Sequence, residues 1–234
     1  MIAIFKREFK AYFNSPVGYV IVAAFMFFGG IFFYVQSLYA GTSDMSGVFG
    51  NMFFILLFLI PLLTMRLLSD ERRLKTDQAL LTAPISLFSI VAGKLLSALA
   101  VYGICISVFI VQAIVISFAS SPDWPVIIGN ILGLLLLGLS LISIGLFISS
   151  LTESVVVAAV ATFAINIFLL LIDTIKSLLP WDFAQDVMEF ISFDEKYTQM
   201  TLGVFPLFDT VFFLSVTAAF MFFTVKKLEK RRWS

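Results

Sequence analysis

Histidine is absent from the 234-residue chain, and cysteine occurs once, as Cys105. Metal and haem sites depend largely on these two residue types, and a serine-hydrolase triad needs histidine as its base. A single cysteine cannot form an intrachain disulfide, and the apolar stretch around Cys105 predicts a small buried hydrophobe. We therefore expect no catalytic, metal-binding or cofactor-binding residue, and the chain is predicted not to be an enzyme.

Charged residues are also scarce, at 13% of the sequence, whereas 61% of it is hydrophobic and 28 residues are Phe. Soluble domains are about 45–50% apolar and about 25% charged. A water-soluble core cannot bury this much apolar surface, so the excess is expected to face lipid. The net charge is zero, which gives no indication of nucleic-acid binding.

Six apolar runs are long enough to cross a hydrocarbon core of ~30 Å. In order, spans 1 to 6 are predicted at Val17–Leu38, Val48–Leu67, Ser89–Phe118, Val126–Ser149, Val155–Ile172 and Phe205–Val225. A segment in lipid must satisfy its backbone hydrogen bonds internally, so each run is predicted to be a helix. The expected fold class is an all-α membrane protein, with a single transmembrane domain over residues 1–234. Span 3 is long for one crossing and is expected to begin as cytoplasmic helix.

The basic residues are distributed unevenly between the two ends of these spans. All but two of the 15 Lys and Arg residues lie in three regions. These are the N-terminal segment, the region from the end of span 2 to the start of span 3, and the tail 226–234. The exceptions, Lys176 and Lys196, lie between spans 5 and 6. Because basic residues favour the cytoplasmic side, both termini are predicted to be cytoplasmic. Span 1 is expected to be retained rather than cleaved as a signal peptide, since five more spans follow it.

The segment Met1–Asn14 is predicted to form an amphipathic helix on the cytoplasmic membrane surface. Its apolar face is expected to contain Ile2, Phe5, Phe9 and Tyr12, with basic residues on another face. That basic face would meet the headgroups of membrane lipid.

The cytoplasmic connection between spans 2 and 3 is predicted to contain a helix of about two turns, capped by Thr76 and ended by Pro84. An isolated helix this short is marginal in water. Leu80 and Leu81 point away from the spans in this prediction, so we expect a partner protein to hold the segment.

Polar residues in the spans and the external segment 173–205 supply a second set of candidates. A carboxylate at membrane depth is costly, which singles out Asp209 near the outer end of span 6. Asn166 in span 5 is a further polar group, and a short helix from Asp182 is predicted to carry Phe183 and Phe190 at the outer leaflet. These residues are candidates for a pathway or gate. The alternatives are a wet helix start for Asp209, a packing role for Asn166 and an inert cover for the external helix.

The stretch from Pro61 to Arg73, followed by residues 76–85 and Gly93-Lys94-Leu95, resembles ABC type-2 transporter permeases. It is similar in particular to the branch named for the gliding-motility permease. Residues 6–16, 145–153 and 208–233 also look like segments of that branch, so the resemblance covers nearly the whole chain. Lys75 departs from the pattern, because many type-2 permeases have Gly before the Thr.

The resemblance implies a permease subunit that pairs with a second permease subunit and with ABC ATPase subunits, which bind ATP and Mg. A short cytoplasmic coupling helix transmits motion between them. By position, the coupling residues would be Asp70, Glu71, Arg72, Arg73, Thr76, Asp77, Leu80 and Leu81. The resemblance also implies a bacterial inner membrane protein with an extracytoplasmic auxiliary partner.

Two other functions stay open at this point. One keeps the ATPase but replaces transport with mechanical signalling to an extracytoplasmic protein. The other is an ATP-independent channel or secondary transporter, which commonly places ionisable groups near the midplane. Only Asp209, Arg66 and Asp173 are candidates for such groups. Neither the substrate nor the direction of transport is specified by the sequence.

Overall fold

The computed structural model describes residues 1–76, 78, 85–118, 120–178, 182–201 and 206–232, without the side chains of 177, 178, 182–184, 186 and 187. The described residues form an all-α protein, as predicted. In chain order its helices are α1 Ile2–Asn14, α2 Pro16–Phe33, α3 Ser46–Thr64, α4 Ser69–Arg73, α5 Leu87–Ser117, α6 Trp124–Leu151, α7 Val155–Leu178, α8 Asp182–Ile191, α9 Phe193–Thr201 and α10 Leu207–Arg232. A π-helical turn, Tyr34–Leu38, continues α2.

Six of these helices are long and apolar enough to cross a membrane, which confirms the predicted spans. They are α2, α3, α5, α6, α7 and α10. Helix α5 has 31 residues and is therefore roughly 46 Å long, so it extends beyond the hydrocarbon core. Helix α10 continues to Arg232, so most of the predicted basic tail is helical.

Helices α3 and α6 lie at the centre of the bundle. The most apolar stretch of α6 is 67% buried and that of α3 is 61% buried, against 28% for α2, α7 and α10. Helix α6 contacts α3, α5, α7, α9 and α10. Cys105 is buried in α5, as predicted. The lightly buried helices therefore present apolar surface to the membrane or to another chain.

Helix α1 packs on its own bundle, mainly against α5 and also against α2. Its buried residues are Ile4 and Tyr12, whereas Ile2 is 67% exposed. The predicted apolar face was therefore displaced, because the inner stripe runs through Ile4, Glu8 and Tyr12 at intervals of four residues. Helix α1 comes close to α5 at Gly93, where a Cβ atom would lie 3.1 Å from the Ile4 side chain.

The external segment contains two helices, α8 and α9, where one was predicted. Helix α9 packs between α6, α3 and α7. Phe193, Tyr197 and Met200 are buried along one side of it, and the Tyr197 hydroxyl donates to the Phe49 carbonyl at 2.9 Å. Its many polar residues hid this apolar stripe from the hydropathy search.

Candidate functional site: the cytoplasmic connection

Span 2 is interrupted at the end that leads into the connection to span 3. Helix α3 ends at Thr64, residues 65–68 form turns, and α4 begins at Ser69. A Schellman motif ends α4, since Lys75 N–H donates to the Arg72 carbonyl at 3.2 Å and Thr76 N–H donates to the Glu71 carbonyl at 3.0 Å. Lys75 occupies the left-handed position of that motif, with φ at 56°. Glycine favours this conformation, which gives a physical reason for the Gly that many type-2 permeases have here.

A buried lysine joins α4 to α1 and α5. The Lys94 side chain is fully buried, and its Nζ lies 3.2 Å from Glu8 Oε1 and 3.0 Å from Glu71 Oε2. The Arg7 guanidinium contacts the same two carboxylates. Two cations thus face two carboxylates, so the buried charges are paired within the cluster. Burial alone would lower the pKa of Arg7, but its hydrogen bonds and charge interactions with Glu8 and Glu71 raise it instead.

Arg72 joins α4 to the far side of the bundle. Its guanidinium donates to the Ser150 carbonyl at 2.9 Å and lies 3.3 Å from Glu153. These residues belong to the end of α6 and to the turn before α7. Helix α4 is therefore attached by charged side chains to three helices, α1, α5 and α6, and to the turn before α7.

The predicted coupling residues consequently divide into two groups. Glu71 and Arg72 face inward and attach α4 to the bundle. Asp70 lies 3.9 Å from Arg66 and 3.3 Å from Arg73, and the Arg73 side chain is 63% exposed. Thr76 is exposed and caps the Glu71 carbonyl.

The remaining coupling residues, Asp77, Leu80 and Leu81, lie outside the described residues, as does most of the predicted helix 76–83. Their role stays a prediction. The described part of the connection ends in an exposed surface formed by Arg73, Leu74 and Thr76.

Two of the candidate pathway residues, Asp209 and Phe190, lie together near the start of α10. Asp209 is only 4% exposed, and its Oδ1 lies 3.8 Å from Lys196 Nζ. The same ammonium lies 5.0–5.7 Å from the ring centroids of Phe190, Phe208 and Phe212. The wet helix start expected as an alternative for Asp209 is therefore wrong. Its carboxylate is a buried partner of α9.

A second external cluster lies beside this pair. Lys176 Nζ donates to Glu189 Oε2 at 2.7 Å and to Glu195 Oε2 at 3.3 Å. The hydrogen bond from Lys176 lowers the pKa of Glu189. These bonds connect α7, α8 and α9.

Asn166 lies elsewhere and has a packing role. Pro61 has no N–H, so the Leu57 carbonyl four residues earlier loses its partner in the α3 ladder. The Asn166 side-chain amide in α7 donates to that carbonyl at 3.2 Å. Asn166 and Asp209 thus stabilise different parts of the molecule. The side chain of Phe183 lies outside the description.

Several residues of the cytoplasmic site were missed at the sequence level, namely Glu8, Tyr12 as a donor, Lys94 as a buried cation, and Ser149. One signal was available for Glu8. It lies between Ile4 and Tyr12 on a single helical stripe, and a carboxylate inside an apolar stripe indicates a buried basic partner. Lys94 lies within predicted span 3, where a charged side chain needs a partner, but that partner could not be read locally because Glu8 is 86 positions away in the chain.

Comparison with known protein families agrees with the resemblance to ABC type-2 transporter permeases. The family model described as ABC-2 type transporter matches residues 1–175, which include α1, α4 and the first five spans as far as position 175. A search of curated proteins finds no match to the chain.

Proposed function

We propose, from the premise that this chain belongs to the ABC-2 type transporter family, that it is a permease subunit driven through α4 and the residues that follow. Membership of the family implies partnership with an ATPase subunit. The observation that supports α4 as the receiving element is its attachment to α1, α5, α6 and the turn before α7 by Glu71 and Arg72.

ATP binding and hydrolysis on the partner would move the exposed end of the connection. A loose loop would absorb such a movement. Here the inward charges of α4 transfer it to the neighbouring helices, and rigid-body tilting of packed helices is an established way to open and close a path. The exposed residues Arg73 and Thr76, with the predicted Leu80 and Leu81, would contact the ATPase, and Asp77 would start the predicted helix.

The proposed assembly has a second permease subunit. In a single chain only 28% of the most apolar stretch of each of α2, α7 and α10 is buried, which supports pairing through part of their remaining surface. The resemblance to ABC type-2 permeases supports a bacterial inner membrane location, and the uneven distribution of Lys and Arg supports both termini in the cytoplasm. The substrate stays unassigned.

A second function is favoured by one observation at the external end. The Tyr197 hydroxyl joins α9 to α3, so movement of α3 would reach the external segment. This connection supports the alternative in which ATP hydrolysis acts mechanically on an extracytoplasmic partner. ATP-coupled flux in reconstituted vesicles would favour transport over this alternative.

The partnership is tested by affinity purification of the tagged chain from its native membranes, with mass spectrometry of the bound proteins. We expect an ABC ATPase to co-purify with the wild type and to be lost on joint Leu80→Asp and Leu81→Asp substitution. Tyr39→Asp is the matched control, because Tyr39 is 80% exposed at the other end of span 1. Equal recovery of the ATPase with all three chains would contradict the assignment of the connection.

A further inference from the structure

The break in span 2 is not explained by its own sequence. Residues 62–75 contain no Gly and no Pro, and Leu, Met, Arg and Glu in this stretch are good helix formers. A continuous helix would direct the Leu67 N–H to the Leu63 carbonyl. In the structure the Leu67 N–H donates to the Thr64 carbonyl at 3.1 Å instead. The cause of the break must therefore lie in other elements.

The break leaves backbone groups of span 2 without a hydrogen-bond partner in their own helix. Three side chains from three other helices form hydrogen bonds to them. The Tyr12 hydroxyl in α1 donates to the Leu63 carbonyl at 2.7 Å. Lys94 Nζ in α5 donates to the Leu67 carbonyl at 2.6 Å. Ser149 Oγ in α6 accepts from the Leu68 N–H at 3.1 Å.

All three side chains are buried, with Tyr12 at 9% exposure and Lys94 and Ser149 at 0%. A buried backbone group without a partner is costly. Removal of one side chain leaves the helix ladder as the nearest alternative partner. The interrupted and continuous forms of span 2 thus differ by an exchange of a few hydrogen bonds.

We infer that Tyr12, Lys94 and Ser149 are positioning residues that hold span 2 open between Thr64 and Ser69 and so set the direction in which α4 presents the cytoplasmic connection. The inference rests on the proposed function for its significance, because only a permease driven through α4 needs that direction to be fixed. Tyr12 belongs to helix α1, which precedes the first span.

The distance between two spin labels, measured by double electron–electron resonance in nanodiscs, tests the inference without any ATPase. One label is placed at Leu74, which is 65% exposed just after α4, and the other at Tyr39, which is 80% exposed at the far end of span 1. Cys105 is replaced by Ala, so that these two engineered sites carry the only thiols.

Tyr12→Phe and Ser149→Ala each remove one of the three side-chain partners and little volume. The continuous form of span 2 would give a second distance between the labels. We expect both variants to increase the population of that distance, by about fivefold for the loss of one typical hydrogen bond. The double variant is expected to increase it further. Tyr102→Phe is the matched control, because the Tyr102 hydroxyl donates at 2.7 Å to the Leu134 carbonyl, which lies within the uninterrupted helix α6.

Distance distributions that are unchanged in Tyr12→Phe, Ser149→Ala and the double variant would overturn the inference. An increase of the same second distance in Tyr102→Phe would overturn it as well, since the loss of any tyrosine hydrogen bond would then be enough to change span 2. Failure of the ATPase to co-purify with the wild-type chain is a separate result. It would contradict the proposed function and leave the geometry of the break as measured.

Discussion

Lys94 is the residue on which the cytoplasmic site depends most. A fully buried ammonium loses its hydration, and only close carboxylates and carbonyls can offset that loss. Lys94 has two carboxylate partners, Glu8 and Glu71, and the Leu67 carbonyl. Its charge is thus compensated by α1, by α4 and by the break in span 2.

Lys94→Met keeps most of the volume but leaves Glu8 and Glu71 with only Arg7 as a cationic partner. We expect the protein to lose roughly 3 kcal/mol of stability, the lower end of the range for removing one member of a buried ion pair. Thermal unfolding in detergent, followed by the loss of monodisperse protein, measures the effect. Adding Glu8→Gln to Lys94→Met is expected to restore part of the lost stability, because it removes one unpaired carboxylate.

Lys226→Met is the control for the loss of a lysine as such. Lys226 forms a 2.7 Å pair with Glu229, but both side chains are about half exposed. Exposed pairs contribute about 0–1 kcal/mol. Equal unfolding temperatures for Lys94→Met and Lys226→Met would contradict the structural importance of the buried pair.

At the same scale, the sequence identified which polar residues were unusual but not what they contact. Asn166 and Asp209 were recognised because polar groups in apolar runs need partners. Their partners, the carbonyl freed by Pro61 and the ammonium of Lys196, are supplied by other helices. No spacing rule connects such positions, so only the folded structure could supply the pairing.

Whole helices were more predictable than their interruptions. Hydropathy located all six spans because lipid requires long apolar helices. The break between Thr64 and Ser69 was not predicted, since side chains of α1, α5 and α6 impose it from outside. Helix α9 was missed for a related reason, because its burial depends on α3, α6 and α7 rather than on its own mean hydropathy.

The end of α4 gives a prediction at the scale of the element. Lys75 adopts a left-handed conformation, which costs a residue with a side chain about 1–2 kcal/mol, whereas Gly adopts it freely at an entropic cost of about 0.5–1 kcal/mol in the unfolded chain. We expect Lys75→Gly to stabilise α4 by roughly 0.5 kcal/mol. Slower amide hydrogen exchange over residues 71–76 would report it.

Lys227→Gly provides the opposite control near the end of α10. Lys227 is exposed inside helix α10, where Gly costs about 1 kcal/mol relative to a good helix former. Exchange near Lys227 should therefore become faster. Faster exchange over 71–76 in Lys75→Gly would mean that the lysine side chain stabilises the Schellman motif, contrary to this account.

On the scale of the whole molecule, contacts run from the cytoplasmic connection to the external segment. Helix α4 contacts α1, α5 and α6 through charged side chains. Helix α3 extends from the break at Thr64 back past Phe49, whose carbonyl accepts a hydrogen bond from Tyr197 of α9. A displacement of α4 can therefore reach the external end through packed helices. The same chain of contacts serves transport and mechanical signalling equally well.

The six spans followed from the sequence because they depend on sums over many residues, such as hydropathy. The arrangement of the bundle did not. Which helices are central is decided by contacts among residues far apart in the chain, and α3 and α6 are no more apolar than α7. The family resemblance predicted the place of the connection, and the match over residues 1–175 confirms the family.

The central claim is that the cytoplasmic connection after α4 contacts a separate ATPase. Site-specific photo-cross-linking in native membranes tests it most directly, with the photoreactive residue at Leu74 in one protein and at Tyr39 in the other. We expect an adduct with an ABC ATPase from Leu74 and none from Tyr39. An ATPase adduct from neither position, in a chain that is folded and inserted, would contradict the claim.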